Sequence, residues 1–351
     1  MNDKLQANLS QRGRAMIDFY AHMFRGTQNL RDDMDDALAN IAPDPSELPD
    51  DLYALNETLE TAMEKEPSFR VNGLIGEWHS RNHGIACEEA FELVRDKIEP
   101  VLRDLDNGPA TLEADPDFKA PPYWSNVEFH RTSGGWDGHE FQGYIHGEIV
   151  HRKMVDALYP GGIFKQRRAV AAMAPKDSYG RILELGCSTG HFTEALAETY
   201  PDAEIYGVDL SIKTLEHARR VANANNWAWK LFQRPAENTR FDAGSFDLVA
   251  SYILLHEIPA KVVRAVFEEA FRTLKPGGDM IMSDVTRYAD MDKLRVWKAD
   301  HGAKYGGEPH WRASASLDLG AVATQAGFEN VKAESLGPGG YPYVVMARKP
   351  E

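Results

Sequence analysis

The chain has 351 residues, 43% apolar and 26% charged, enough for two domains, one with a full core. Its 39 Lys and Arg against 54 Asp and Glu leave a net charge of −15, which argues against a nucleic-acid partner because phosphate binding needs a basic surface. Two cysteines, Cys87 and Cys187, exclude a disulfide scaffold, and no apolar run reaches the length of a membrane span, so a cytoplasmic protein with no membrane partner is expected.

Met1–Arg14 is polar and lacks the apolar core of a signal peptide. Residues 1–122 read as a helical unit. Ala15–Phe24, Leu52–Leu55 and Glu89–Leu102 carry apolar residues at helical spacing, and Pro43–Asp50 is a turn-rich connector. No convincing strand is expected there, and the stretch from Asp106 to Pro122 reads as a loop. The unit is expected to serve as a lid over an acceptor or as a homodimer surface. Residues 123–162 form a bridge rich in aromatics and histidine, including Tyr123, Trp124, Trp136, Tyr144, His146 and His151. His79 and His83 are four apart, and His130, His139, His146 and His151 cluster in sequence. None has an acid or cysteine at ligand spacing, so no metal is expected.

From residue 163 the pattern alternates. Helices are expected at 163–174, 191–200, 212–224, 260–273 and 316–326. Strands are expected near 181–185, 204–208, 229–233, 246–251, 279–284, 329–335 and 341–347. Such alternation specifies an α/β fold, a parallel sheet with helices on both faces. Lys165-Gln-Arg-Arg168 reads as a solvated helix end.

The most informative stretch is Arg181-Ile-Leu-Glu-Leu-Gly-Cys-Ser-Thr-Gly-His-Phe-Thr193, followed by a second apolar strand ending in Asp209. A dinucleotide fingerprint needs glycine at 186, 188 and 191, and here those positions hold Gly186, Ser188 and His191. An acid followed by small residues at 186, 188 and 190 fits instead. Glu184, Gly186, Ser188, Gly190 and Asp209 resemble the first motif of the class I S-adenosylmethionine methyltransferases, over roughly residues 163–349. Phe246–Pro259 and Leu274-Lys-Pro-Gly-Gly-Asp279 are similar to that family's fourth strand and its turn into the fifth. The resemblance implies a Rossmann-like, doubly wound, mostly parallel seven-stranded sheet with an antiparallel final strand, and S-adenosylmethionine as cofactor. It places Glu184, Gly186, Cys187, Ser188 and Gly190 along the cofactor's amino-acid part. Asp209, with Leu210 beside it, falls on the ribose, and Tyr252 near the donor. Pro235 stands where many relatives carry an adenine-binding aspartate, so Ala236 and Glu237 become the expected adenine contacts.

A sulfonium methyl is already activated, so the enzyme's task is to align donor and nucleophile, and a base is needed only for a nucleophile with a high-pKa proton. The family has no invariant catalytic residue. Position selects His256, Asp284 and Tyr144 as catalytic candidates, and His146, Glu257, Tyr288, Trp297 and His301 as acceptor contacts. The expected function is methyl transfer to a small-molecule acceptor. Use of the cofactor's aminobutyrate arm, or non-catalytic binding of it, remain the alternatives.

Overall fold

The computed structural model describes residues 3–132, 134–156 and 162–351. Residue 133 and residues 157–161 of the expected bridge, and the first two residues of the Met1–Arg14 stretch, lie outside them. The strands are β1 (Thr111–Glu113), β2 (Arg181–Leu185), β3 (Glu204–Asp209), β4 (Lys230–Gln233), β5 (Phe246–Tyr252), β6 (Leu274–Asp284), β7 (Glu329–Ser335) and β8 (Tyr343–Arg348). They form one sheet in the order β1-β4-β3-β2-β5-β6-β8-β7. β1 to β6 run parallel, and β8 is antiparallel to both β6 and β7.

Successive side chains of the central strands enter opposite cores, as the two-residue strand period dictates. Ile182, Ile205, Leu231, Leu248 and Ile281 enter one, while Leu183, Val208, Val249, Met280 and Met282 enter the other. Burial on both faces is why these strands read as continuous apolar runs. The Ile212–Ala224 and Ala260–Thr273 helices begin and end as expected. Ser211 caps the first of them, its Oγ accepting from Thr214 N at 3.1 Å.

Five features differ from the sequence reading. The sheet has eight strands, because β1 lies inside the region read as strandless and pairs in parallel with β4. Three residues are too short to show a period, and β1 is fixed by its neighbours instead. Asn223 Oδ1 accepts from Ala110 N at 2.9 Å while its Nδ2 donates to Leu105 O at 2.8 Å. Arg219 and Arg220 both hold Asp106 at 2.8 Å. The boundary expected at 122 therefore falls after a strand that belongs to the sheet. The 89–102 segment is split at Val94 between the Pro67–Glu92 and Arg95–Asp104 helices. The helix expected at 316–326 is shorter, Leu319–Gln325 with Asp318 capping it, and a separate Trp311–Ala315 helix precedes it. The Lys-Pro-Gly-Gly turn is a bulge within β6, with register shifting between Phe246 and Leu248 on β5. In the bridge, Ile145–Val155 forms a π-helix.

The N-terminal helices have no core of their own on the sheet side. Ile17, Ala21, Ala86, Ala90 and Phe91 share one apolar cluster with Ile182, Ile205 and Leu231. The π-helix packs against the Gln11–Gly26 and Pro67–Glu92 helices. It approaches the Ile212–Ala224 helix so closely that a Cβ on Gly143, just before it, would stand 2.1 Å from Lys213 O. Its buried Glu148 and Arg152 form a network with His217 at 3.2 Å and Glu194 at 2.8 Å. Among the described residues, no helix is long and apolar enough to cross a membrane. Replacing Asn223 by Ala removes both anchors of the chain entering β1. Chemical denaturation is expected to show a loss of about 1–2 kcal/mol, and an unchanged midpoint would show that β1 is held by other contacts.

Candidate active site

The carboxyl ends of β2, β3 and β5 open into a cavity of about 400 Å³, the position at which ligands enter open α/β sheets. The loop after β2 turns sharply. Gly186 N and Cys187 N both donate to Val208 O, at 2.9 and 3.0 Å, and Gly190 N donates to Cys187 O at 2.9 Å. Gly190 has φ +85°, and a Cβ there would stand 2.8 Å from the Trp229 ring, so both backbone and space require glycine. Ser188, the non-glycine departure in the motif, sits at φ +46°, a left-handed conformation that costs an L-residue roughly 1 kcal/mol. Asp209 compensates at that point. Its Oδ2 accepts from Ser188 N at 2.8 Å, while Oδ1 accepts from Ser211 N at 2.9 Å and Thr214 Oγ1 at 3.4 Å. Burial raises the Asp209 pKa to about 6, opposed by these hydrogen bonds. Glu184 accepts from Thr193 Oγ1 at 2.5 Å, and burial lifts its pKa to about 8.

The cavity wall therefore brings together Glu184, Gly186, Cys187, Ser188, Asp209, Leu210, Ala236, Glu237 and Tyr252 of the expected cofactor set. Gly190 stands behind the wall and shapes the turn. Tyr123 holds Glu237, its hydroxyl donating to Oε1 at 2.7 Å. The residues fit an adenosyl amino acid. Half-buried Asp209 opens onto the cavity at the end of β3, and Arg167, 9% exposed, lies over the Tyr252 ring at 4.8 Å. Arg167 Nη1 donates to Ile163 O at 3.2 Å, its charge is felt by Glu184, and its Nε, at the cavity beside the glycine loop, makes no hydrogen bond among the described residues.

The cover comes from the bridge. In the π-helix His146 and His151 are five apart and their rings meet at a tilt of 57°, centroids 4.1 Å apart. His151 Nδ1 meets His191 Nδ1 at 3.3 Å. Burial, followed by the neighbouring cationic groups, pushes all three pKa values well down and keeps these rings neutral. Trp136 packs edge-on to His146 at 4.4 Å.

The other end of the cavity is acidic. His256 follows β5; its Nδ1 lies 3.1 Å from Asp284 Oδ1, and its Nε2 faces Glu257 at 3.5 Å and Glu308 at 3.9 Å. Burial opposes a charged ring there. Asp284 and the two glutamates together outweigh it and raise the His256 pKa to about 9. His130, held at φ +51°, spans the glutamates, with Nε2 3.2 Å from Glu257 and Nδ1 2.8 Å from Glu308.

His146, His256 and Glu257 thus line the cavity, as expected. Asp284 lies behind His256 and also accepts from Leu255 N at 2.7 Å. Four candidates do not reach it. Tyr144 is buried in the core, 5.7 Å from the Phe91 ring and 5.5 Å from His217. Tyr288 donates to Asp300 at 2.8 Å, Trp297 packs on Phe69 at 5.7 Å, and His301 meets Phe69 at 5.1 Å. The Lys293–Gly306 helix that carries the last two faces the N-terminal helices, not the cavity. Only the residues after it, Glu308 and Trp311, reach the wall. Sequence reasoning missed Arg167, Glu308 and the placement of His130. Arg167 had been read within a solvated helix end, and Glu308 gave no signal.

Comparisons agree with this geometry. A family model described as "Methyltransferase domain" matches residues 182–278. An uncharacterized methyltransferase of Synechocystis sp. is 32% identical over 171 residues, 48% of this chain and 75% of the relative. A malonyl-[acyl-carrier protein] O-methyltransferase of Legionella pneumophila is 32% identical over 121 residues, 34% of this chain; the chain spans only 41% of that relative's length. The solved phosphoethanolamine N-methyltransferase 2 of Haemonchus contortus, in complex with S-adenosyl-L-methionine, is 18% identical with a TM-score of 0.45, covering 55% of this chain and 54% of that one. Asp209→Ala is expected to weaken S-adenosylmethionine binding, read by calorimetry, at least about tenfold, or about 1.4 kcal/mol. Unchanged affinity in a folded variant would remove the carboxylate from the cofactor contact.

Proposed function

Because this chain belongs to the class I S-adenosylmethionine-dependent methyltransferase family, we propose that it methylates a small-molecule acceptor whose polar nucleophile sits against His256, Glu257, His130 and Glu308. One observation carries this reading: the acidic end of the cavity is continuous with the wall formed by Asp209 and the glycine loop. Bound to that wall, the cofactor supplies a methyl carbon already activated by its sulfonium sulfur. Asp209 and Glu237 hold the nucleoside part, and Arg167 takes the carboxylate. Trp136, His146 and Tyr252 keep water from the space between the two ends. The alignment that results is worth several kcal/mol of barrier in a two-reactant step.

His256 is the acceptor-side catalytic group. Asp284 fixes its Nδ1, which directs Nε2 toward the cavity, where the ring orients the nucleophile by hydrogen bonding. The acceptor's proton passes to the adjoining carboxylates, since Glu257 Oε2 and Glu308 Oε2 accept no hydrogen bond among the described residues. A net charge of −15 and the enclosed wall support a small acceptor over nucleic acid. A homodimer also remains our proposal. Val71, Leu74, Trp78 and Ile85 form an exposed apolar stripe on one helix, with Glu77 and Arg81 beside it. A two-fold copy would set apolar area on apolar area and opposite charges against each other.

The test is incubation of methyl-labelled cofactor with fractionated metabolites. Label in a small product together with S-adenosylhomocysteine is expected; methylthioadenosine release would replace methyl transfer with use of the aminobutyrate arm. With an acceptor found, His256→Gln is expected to lower kcat about 10²-fold and leave cofactor affinity within about twofold. An unchanged kcat would remove His256 from the chemistry.

A further inference from the structure

The His130, Glu257 and Glu308 cluster has more donors than its hydrogen bonds use. One nitrogen of His130 and one oxygen from each glutamate all lie within 4.8 Å of one another. The three residues come from separate segments: the loop before the π-helix, the turn after β5, and the end of the long helix after β6. Backbone geometry brings them together. His130 takes φ +51°, and its N donates to Gly307 O at 3.0 Å, next to Glu308. A second observation points to a ligand. Glu257 Oε2 and Glu308 Oε2 are shielded from solvent without a hydrogen bond among the described residues, and both side chains line the cavity. A buried carboxylate oxygen with no donor carries a desolvation cost that something normally offsets.

We propose that His130, Glu257 and Glu308 form a binding site for a divalent metal ion at the acceptor end of the cavity. The spacing suits an ion. One ligand atom from each residue lies within 4.8 Å of the other two, and bonds of about 2.1 Å in tetrahedral geometry place donors about 3.4 Å apart. His130 turns Nδ1 to Glu308 at 2.8 Å and Nε2 to Glu257 at 3.2 Å, so an ion takes the place of one of these two contacts. Mixed imidazole and carboxylate ligands select a first-row ion such as Zn²⁺, Mn²⁺ or Co²⁺ over Ca²⁺. Three protein ligands leave a coordination position open, the arrangement of sites that also bind a reactant. His256 stands beside that position with Asp284 behind it, 3.5 Å from Glu257. Acceptors with a hydroxyl or carboxylate oxygen are the class such an ion would hold. For its place in the reaction the inference rests on the acceptor reading above, and an ion held by Glu257 and Glu308 would take over their part by lowering the acceptor's own proton affinity; for ion binding it stands alone. The histidine spacing in the sequence excluded a metal because the ligands lie 51 and 127 positions apart (308 − 257 and 257 − 130).

The test uses the full chain, stripped with a chelator and titrated with Co²⁺ alone under visible absorption, with Zn²⁺ as competitor. One Co²⁺ per chain with a ligand-field spectrum displaced by Zn²⁺ is expected. Glu308→Gln and His130→Gln are each expected to weaken Co²⁺ at least about tenfold, with S-adenosylmethionine binding retained as the check on folding. A wild-type chain with no stoichiometric Co²⁺ spectrum overturns the proposal without any variant. So does a Co²⁺ affinity unchanged in the Glu257→Gln/Glu308→Gln double variant. Co²⁺ binding without cofactor binding would instead defeat the methyltransferase reading and leave the ion site standing.

Discussion

The site depends on one half-buried carboxylate at the end of β3. Asp209 accepts a backbone N–H from the loop after β2 and another from the start of the Ile212–Ala224 helix, so a single side chain fixes two adjacent turns. Ser188 keeps its left-handed backbone because that hydrogen bond holds it there. Charge-assisted bonds of this kind are stronger than neutral ones, which lets a strained loop persist. The same bonds leave the carboxylate little freedom to rotate, so its remaining lone pairs present a fixed face to the cavity.

Around that anchor the cavity separates by electrostatics. On the glycine-loop side, burial and nearby cationic groups keep His146, His151 and His191 neutral, and Arg167 is the cation. On the other side, Asp284 with Glu257 and Glu308 raises the His256 pKa to about 9, and the two glutamates push that of His130 up. The histidine pKa values thus shift in opposite directions within one cavity, and what differs is the partner. Carboxylates surround one pair, while arginines and other rings surround the three. A ligand with a carboxylate at one end and a positive centre further in meets a complementary field along its length.

What the sequence revealed follows from how local each signal is. The five parallel strands from residue 163 onward were legible because buried parallel strands are apolar runs, and most helices there because of their apolar spacing. The cofactor wall was legible because the glycine loop and Asp209 form one contiguous pattern. The acceptor end was not, since Glu308 reaches it only through the packing of a helix whose aromatic residues, Trp297 and His301, face elsewhere. Tyr144 looked available beside His146, but a π-helix starts at Ile145 and turns the neighbouring positions to different faces. The brevity of β1 hid it from any periodicity.

That short strand constrains how the molecule can be shortened. β7, at one margin of the sheet, is solvent-exposed and carries Glu329, Lys332 and Glu334, charges that discourage a stray chain from adding on. At the opposite margin β4 bears Leu231 and Phe232, and its outer hydrogen bonds are taken by Thr111–Glu113. An isolated catalytic fragment beginning near residue 163 would leave that apolar margin open as a template for self-association, which makes the N-terminal third a built-in guard against aggregation.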